Sequence, residues 1–328
     1  MNMSDSMQLG RRGFMGALFA TGAVGSTVGG VKSVPVPVPG KEGIHVKVTP
    51  YFNGGWTVYL LGNRGYGQML STLFLSPSGR VVMVDGGNID DGDFLYTTLM
   101  ELGGEVDTWF ITHAHIDHFR ALGTILKRPG MGGLKIRRLM YDFPPLEWFV
   151  AHEKGCVEHL KIFLSDIERN NVKVEKPEFR RVYDFGEGLT FECLNHVDLR
   201  IWVNGCNNSS ICYRVENGGK SLLVTGDIGE QMANWLIKQN APEKLKCDVV
   251  FMSHHGQNGA GRNFYEAVKP EICVWPTPQW VWDNDGGQGP GSGPYKTNYV
   301  KTWMQDLGVK RHFLLTRDAA LGPKTQKK

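Results

Sequence analysis

Between His113 and His118 the chain reads His-Ala-His-Ile-Asp-His, which sets three imidazoles and a carboxylate within six residues. Imidazole nitrogen and carboxylate oxygen are common ligands of divalent transition ions, and ordinary loops have no need of them at that density. His113 and His115, two apart in an extended stretch, can point the same way and bind one ion. Asp117 and His118 follow once the chain turns, and they suit a second ion a few ångströms away. The competing reading, a polar loop of solvated histidines, leaves the density unexplained. Apolar Thr108-Trp109-Phe110-Ile111 stands before this run and Phe119-Arg120-Ala121-Leu122 after it. That pattern predicts a buried strand, a ligand loop and the first turns of a helix.

Further polar residues stand directly behind apolar strand-like runs. Asp85 follows Val81-Val82-Met83-Val84, Asp227 follows Leu222-Leu223-Val224-Thr225-Gly226, and His254-His255-Gly256 follows Val249-Val250-Phe251-Met252-Ser253. In this order, with His-x-His-x-Asp-His ahead of the last two, the series resembles the metallo-β-lactamase-fold hydrolases over roughly residues 45–318. The His-His-Gly form and the stretch Asn207-Asn208-Ser209-Ser210 are most similar to one branch of that family. It contains the hydrolase domain of DNA-uptake competence proteins and the bacterial phosphorylcholine esterases.

The resemblance implies an α/β fold, an αββα four-layer sandwich of two packed mixed sheets with helices outside. It also implies two divalent cations, zinc first and manganese second, about 3.5–4 Å apart. Their ligands would be His113, His115, Asp117, His118, Asp227 and His255, with Asp227 bridging. Asp85 would hold a ligand histidine by its far ring nitrogen, and a metal-bound imidazole does need an acceptor on its other N–H; the alternative is a turn aspartate capping the next helix. Two adjacent histidines do not easily face one ion, so His255 is preferred as ligand and His254 is set near the substrate as a hydrogen-bond donor. Asp117 and His254 are the candidate catalytic pair.

The chain departs from the family at the third motif. Where many members have a histidine about twenty residues before the bridging aspartate, this chain reads Cys206-Asn207-Asn208-Ser209-Ser210. His196 is an outlying candidate. If it does not reach in, the first ion keeps only His113, His115 and Asp227, and fewer nitrogens make manganese more acceptable. Asn207 or Asn208 would then bind substrate oxygens or ordered water.

The chemistry expected is hydrolysis by a hydroxide shared between two cations. A phosphoester or phosphodiester from the cell envelope, a lipid or a nucleotide is the favoured substrate. The alternatives are a carbonyl hydrolase acting on a lactone, β-lactam or thioester, and a binding protein that has kept its metals without turnover. No Gly-x-Ser-x-Gly elbow or Cys/His pair suggests covalent catalysis.

The elements that must position these groups follow from the rest of the chain. Its 328 residues, 41% hydrophobic and 21% charged, suffice for a large core. Residues 1–32 carry Arg11-Arg12-Gly13-Phe14-Met15 ahead of a weakly hydrophobic Gly/Ala run. This is the pattern of a twin-arginine export signal, too weak for a stable membrane anchor, and it predicts a periplasmic or extracellular location after passage through the Tat machinery. Residues 33–43, with Val34-Pro35-Val36-Pro37-Val38-Pro39, form an extended spacer, and the hydrolase domain occupies 44–328. The formal charge of +3 falls to about +1 without Asp5, Arg11, Arg12 and Lys32. That argues against a non-specific nuclease. A basic run, Lys127, Arg128, Lys135, Arg137 and Arg138, reads as solvated surface or else as an anion-attracting rim. The six cysteines form no C-x-x-C pair and read as buried thiols.

Strands are expected at 44–49, 56–61, 70–75, 81–84, 137–142, 172–174, 189–194, 199–203, 211–215, 221–225, 247–253, 272–275 and 311–316. Helices are expected at 94–102, 146–170, 229–240, 262–268 and 298–307, and an irregular active-site wall at 276–295. Trp280 and Trp282 in that wall are candidates for gripping a sugar or a cationic head group.

Overall fold

The computed structural model describes Ile44 and residues 46–324; the expected export signal and spacer lie outside the described residues. Alternation along the strands sets the layering. Val82 and Val84 point into one cluster with Phe74, Phe110, Phe191, Tyr213 and Phe251, while Val81 and Met83 point into a second. Likewise Leu222 and Val224 join the first cluster and Leu223 a third. Each sheet is therefore apolar on both faces and must be covered on both. The result is two sheets face to face with helices on their outer sides, the expected four layers.

The first sheet has eight strands in the order Val48–Phe52, Ala319–Pro323, Thr57–Leu60, Thr72–Leu75, Val81–Val84, Thr108–Phe110, Leu139–Met140, Val174–Glu175. The second has seven, in the order Val182–Asp184, Leu189–Cys193, Tyr213–Asn217, Lys220–Val224, Val249–Phe251, Ile272–Trp275, Arg311–Leu314. Helices Gly92–Glu101, Ile116–Leu126 and Val157–Arg169 cover the outside of the first sheet. Helices Glu230–Gln239, Arg262–Val268 and Thr297–Asp306 cover the second.

Several sequence expectations are corrected. The helix expected over 146–170 is broken into Leu146–His152, a 3₁₀ turn Lys154–Cys156 and Val157–Arg169. Glu153 leaves helical geometry there (φ −141°, ψ 56°), two residues before the poor helix former Gly155. No strand forms at 199–203: Asp198 Oδ1 accepts the N–H of Arg200 at 3.0 Å, and this local turn displaces strand pairing. The loop 276–295 contains a helical turn, Gln279–Trp282. The strand Ala319–Pro323 was not expected, and it inserts between Val48–Phe52 and Thr57–Leu60.

Candidate metal centre

Four apolar strands end at one rim of the sandwich. Val81–Val84 runs parallel to Thr108–Phe110, and Lys220–Val224 runs parallel to Val249–Phe251. Asp85, the histidine loop, Asp227 and the His254-His255 pair therefore all begin within three residues of a strand end at that rim. A rigid β edge thus sets the start of every site loop.

Asp85 is fully buried and left-handed (φ 55°). Its Oδ1 accepts the Thr112 N–H at 2.7 Å and its Oδ2 the Thr112 hydroxyl at 2.8 Å. Oδ2 also stands 2.8 Å from His118 Nδ1, which fixes the proton on that nitrogen and leaves Nε2 its lone pair. Burial pushes the Asp85 carboxyl up, against the pull of His118. His118 Nε2 lies 3.4 Å from Asp227 Oδ2 and 4.0 Å from Asp117 Oδ2. Asp117 sits in the first turn of Ile116–Leu126, where a carboxylate also suits the helix dipole.

Asp227 reaches this point through Gly226. At φ 53° that glycine lies so close to Ser210 and Thr112 that a Cβ would come within 2.8 and 3.0 Å of them. The Asp227 N–H is tied to Ser210 Oγ at 2.9 Å. His254 and His255 are both left-handed (φ 49° and 54°), which turns the adjacent rings to different neighbours. His255 donates from Nδ1 to the Pro276 carbonyl at 2.6 Å and presents Nε2 to Asp117 Oδ2 at 3.0 Å and Asp227 Oδ2 at 3.3 Å. His254 instead meets the Asn258 carbonyl through Nδ1 at 3.2 Å and Asn207 Nδ2 through Nε2 at 3.4 Å. A carbonyl only accepts, so the His254 proton is on Nδ1, and burial keeps the ring from taking a second. In that tautomer its Nε2 accepts from Asn207 Nδ2.

His113 is buried, with Nε2 3.9 Å from Asp227 Oδ2 and 3.1 Å from His115 Nδ1. One ligand atom each of Asp117, His118, Asp227 and His255 lies within 4.8 Å of the others. Among these, His118 Nε2, His255 Nε2 and Asp227 Oδ1 are buried and make no aligned hydrogen bond. Unpartnered lone pairs and two facing carboxylates out of water are costly without a cation among them. The donors are nitrogen and carboxylate oxygen, which fits zinc or manganese. The residues present fit a divalent metal.

Electrostatics give the same picture. Burial opposes charge on His255, yet Asp227 and Asp117 push it up to about 10. Burial likewise opposes charge on His118, but Asp227, Asp85 and Asp117 hold it well above the usual histidine range. Asp117 and Asp227, despite burial, are held well below the usual carboxylate range, mainly by His118 and His255. His113 is pushed well down by burial and the neighbouring His118.

Other candidates lie elsewhere. His196 is exposed and packs against Phe179 and Trp235, with ring centroids 5.9 and 5.1 Å away. Asn207 is at the site, with Oδ1 buried and unpartnered, and Asn208 lines the cleft beside His254 while its Oδ1 is engaged by the next helix. Asn208 Oδ1 accepts the N–H groups of Gly229 and Met232 at 3.0 and 3.1 Å, capping Glu230–Gln239. Trp280 stacks on Tyr66 and donates to its carbonyl, and Trp282 packs edge-on to Trp275 under the Lys301 ammonium. Both rings are partly exposed and held by these intramolecular contacts. Arg128, Arg137 and Arg138 of the basic run pair with Asp93, Glu105 and the Asp107/Glu175 pair, so they do not form an anion-attracting rim. Thr112 and Ser210, which orient Asp85 and Asp227, were missed; the only signal was their position beside the polar motifs. A cleft of about 810 Å³ opens beside His254, lined also by Asn204, Gln257, Asn258, Lys296 and Tyr299.

Residues 65–275 match the family described as Metallo-beta-lactamase superfamily. ComE operon protein 3 of Bacillus subtilis (strain 168) is 25% identical over 181 residues, covering 52% of this chain. The chain spans about a fifth of that protein's length, 20%. Among solved structures, the metallo-beta-lactamase fold protein YhfI from Bacillus subtilis is similar at 12% identity and TM-score 0.50, with 81% of this chain and 98% of that one covered. Unliganded yeast PDE1 is 10% identical at TM-score 0.47, covering 83% and 98%.

Proposed function

Since the chain belongs to the metallo-beta-lactamase superfamily, whose members are metal-dependent hydrolases, we propose that it is an exported hydrolase of phosphoesters, phosphodiesters above all. The observation that carries this is the convergence of Asp117, His118, Asp227 and His255, with lone pairs that no protein group satisfies. Two divalent ions held there would supply an acidified water molecule and Lewis-acid neutralisation of charge on the substrate's oxygens.

The chain's own residues do the rest. His113, His115, Asp117, His118, Asp227 and His255 would hold the ions. Asp85 keeps the His118 proton on Nδ1, and the Pro276 carbonyl does the same for His255, so both rings keep Nε2 free. At the cleft, neutral His254 offers an accepting Nε2 that can orient the attacking water or take its proton. Lys296 lines the same cleft and provides fixed positive charge for an anionic phosphoryl group. Water adds to phosphorus, one P–O ester bond breaks, and the leaving alcohol takes up the proton. Export by the twin-arginine route belongs to the same reading and rests on Arg11-Arg12; replacing both by lysine should leave the protein in the cytoplasm.

The test is release of p-nitrophenol from bis(p-nitrophenyl) phosphate by protein loaded with zinc or manganese. Turnover should be present in the parent chain and fall to background in Asp227→Ala. If the metal-loaded chain ignores phosphoesters but opens a lactone, β-lactam or thioester in parallel, the carbonyl-hydrolase reading replaces this one.

A further inference from the structure

Beside the carboxylate-rich centre, on the side of His115, stands a second group of metal-ligating atoms. One ring nitrogen of His115, Cys156 Sγ and Cys206 Sγ all lie within 4.8 Å of one another. They come from three separate segments. His115 belongs to the ligand loop, Cys156 ends the 3₁₀ turn that interrupts the expected long helix, and Cys206 lies in the short helix Gly205–Asn208. Two of these placements were not expected from the sequence. Cys156 faces His115 because the helix breaks at Glu153. Cys206 stands at the start of the stretch where a third histidine was expected and is absent.

The surroundings hold the sulfurs in place. Cys206 is fully buried in a small cluster with Ala114, Trp148, Phe149 and Leu160. A Cβ on Gly205 would come within 2.5 Å of Trp148, so only glycine lets the short helix press Cys206 this far in. Cys156 is partly exposed and gives an ion a way in, whereas the other five cysteines are buried. Around one tetrahedral zinc-class ion, sulfur and nitrogen donors stand about 3.5–3.8 Å apart. A closing of at most about 1.3 Å between donors therefore brings the three onto an ion, with water or a neighbouring oxygen as the fourth ligand.

We propose that Cys156 and Cys206, together with His115, ligate a thiophilic divalent cation, so that the metal bound on the His115 side has a sulfur-rich shell. His115 Nδ1 is 3.1 Å from His113 Nε2, so this shell adjoins the carboxylate–imidazole centre. Sulfur here takes the place of the nitrogen that the third motif lacks. The thiolates bind softer ions than the carboxylate pair does, so the two sides of the site differ in metal preference: zinc or cobalt on the sulfur side, and zinc or manganese between Asp117 and Asp227.

The test reads ligation and not turnover, so it stands or falls separately from the phosphoesterase reading. The full chain is loaded with cobalt(II), and the near-ultraviolet thiolate-to-cobalt charge-transfer absorption is recorded. It should be present in the parent and lost in the C156S/C206S double variant, with circular dichroism confirming that the variant is folded. On the unmodified chain, labelling of Cys156 by a thiol reagent should fall to background when zinc is added and return with a chelator. Equal labelling with and without zinc, a cobalt spectrum free of charge-transfer absorption, or peptide mapping that finds a Cys156–Cys206 disulfide would each overturn the proposal.

Discussion

Asp85 acts on the candidate centre without facing it. Its carboxylate holds the Nδ1 proton of His118 and the backbone of Thr112, so Asp85→Asn should leave the fold intact but misdirect the ring. The expected loss in metal affinity is roughly 10–100-fold, measured by competition with a chromophoric chelator. His255 gives a pH signature. Burial works against its charge, but Asp227 and Asp117 lift it to about 10 in the metal-free chain. The unfolded value is near 6.5, so this stabilisation is complete below about pH 6.5 and is lost as pH rises through about 10. Metal-free protein should therefore lose melting temperature between about pH 7 and 10, and the metal-loaded form should not, because the ion has displaced that proton. A melting temperature flat across that window in the metal-free form would contradict this. The metal loop was legible in the sequence because ligand density is a local property. Which way His254 and His255 turn was not, since it depends on two left-handed residues fixed by Pro276 and Asn258, both outside the motif.

Among elements, the helix Glu230–Gln239 has no side-chain cap of its own at Gly229. Asn208 supplies one from another segment, accepting from Gly229 and Met232. Asn208→Ala should cost about 1–2 kcal/mol in chemical denaturation and leave phosphoester turnover per folded molecule unchanged. An equal loss of turnover would place Asn208 back among the substrate contacts. Gly256 is a harsher case, left-handed at φ 73° with a would-be Cβ 2.4 Å from Trp275. Gly256→Ala should destabilise by about 1–3 kcal/mol from overpacking alone, seen as a lower melting temperature together with lost metal content, since His255 precedes it. The strands were legible because runs such as Val81–Val84 and Val249–Phe251 are apolar on both faces, as buried strands between two layers must be. The breaks were not. Glu153 and Asp198 end regular structure through local geometry that an apolar period does not reveal.

For the molecule as a whole, ions bound only by the folded state stabilise it by mass action, about 2.7 kcal/mol for each at a hundredfold excess over its dissociation constant. Chelation should therefore lower the melting temperature markedly, and zinc or manganese should restore it; identical calorimetric transitions before and after chelation would argue that the centre stays empty. The four-layer architecture was legible from the order of strands and polar motifs, but the position of Ala319–Pro323 was not. That strand lies parallel to Val48–Phe52 and antiparallel to Thr57–Leu60, between the earliest elements of the first sheet. During synthesis those early strands emerge from the ribosome long before the segment that joins them. They must wait with open edges until about 260 further residues have been made, which delays completion of the first sheet until that late segment arrives.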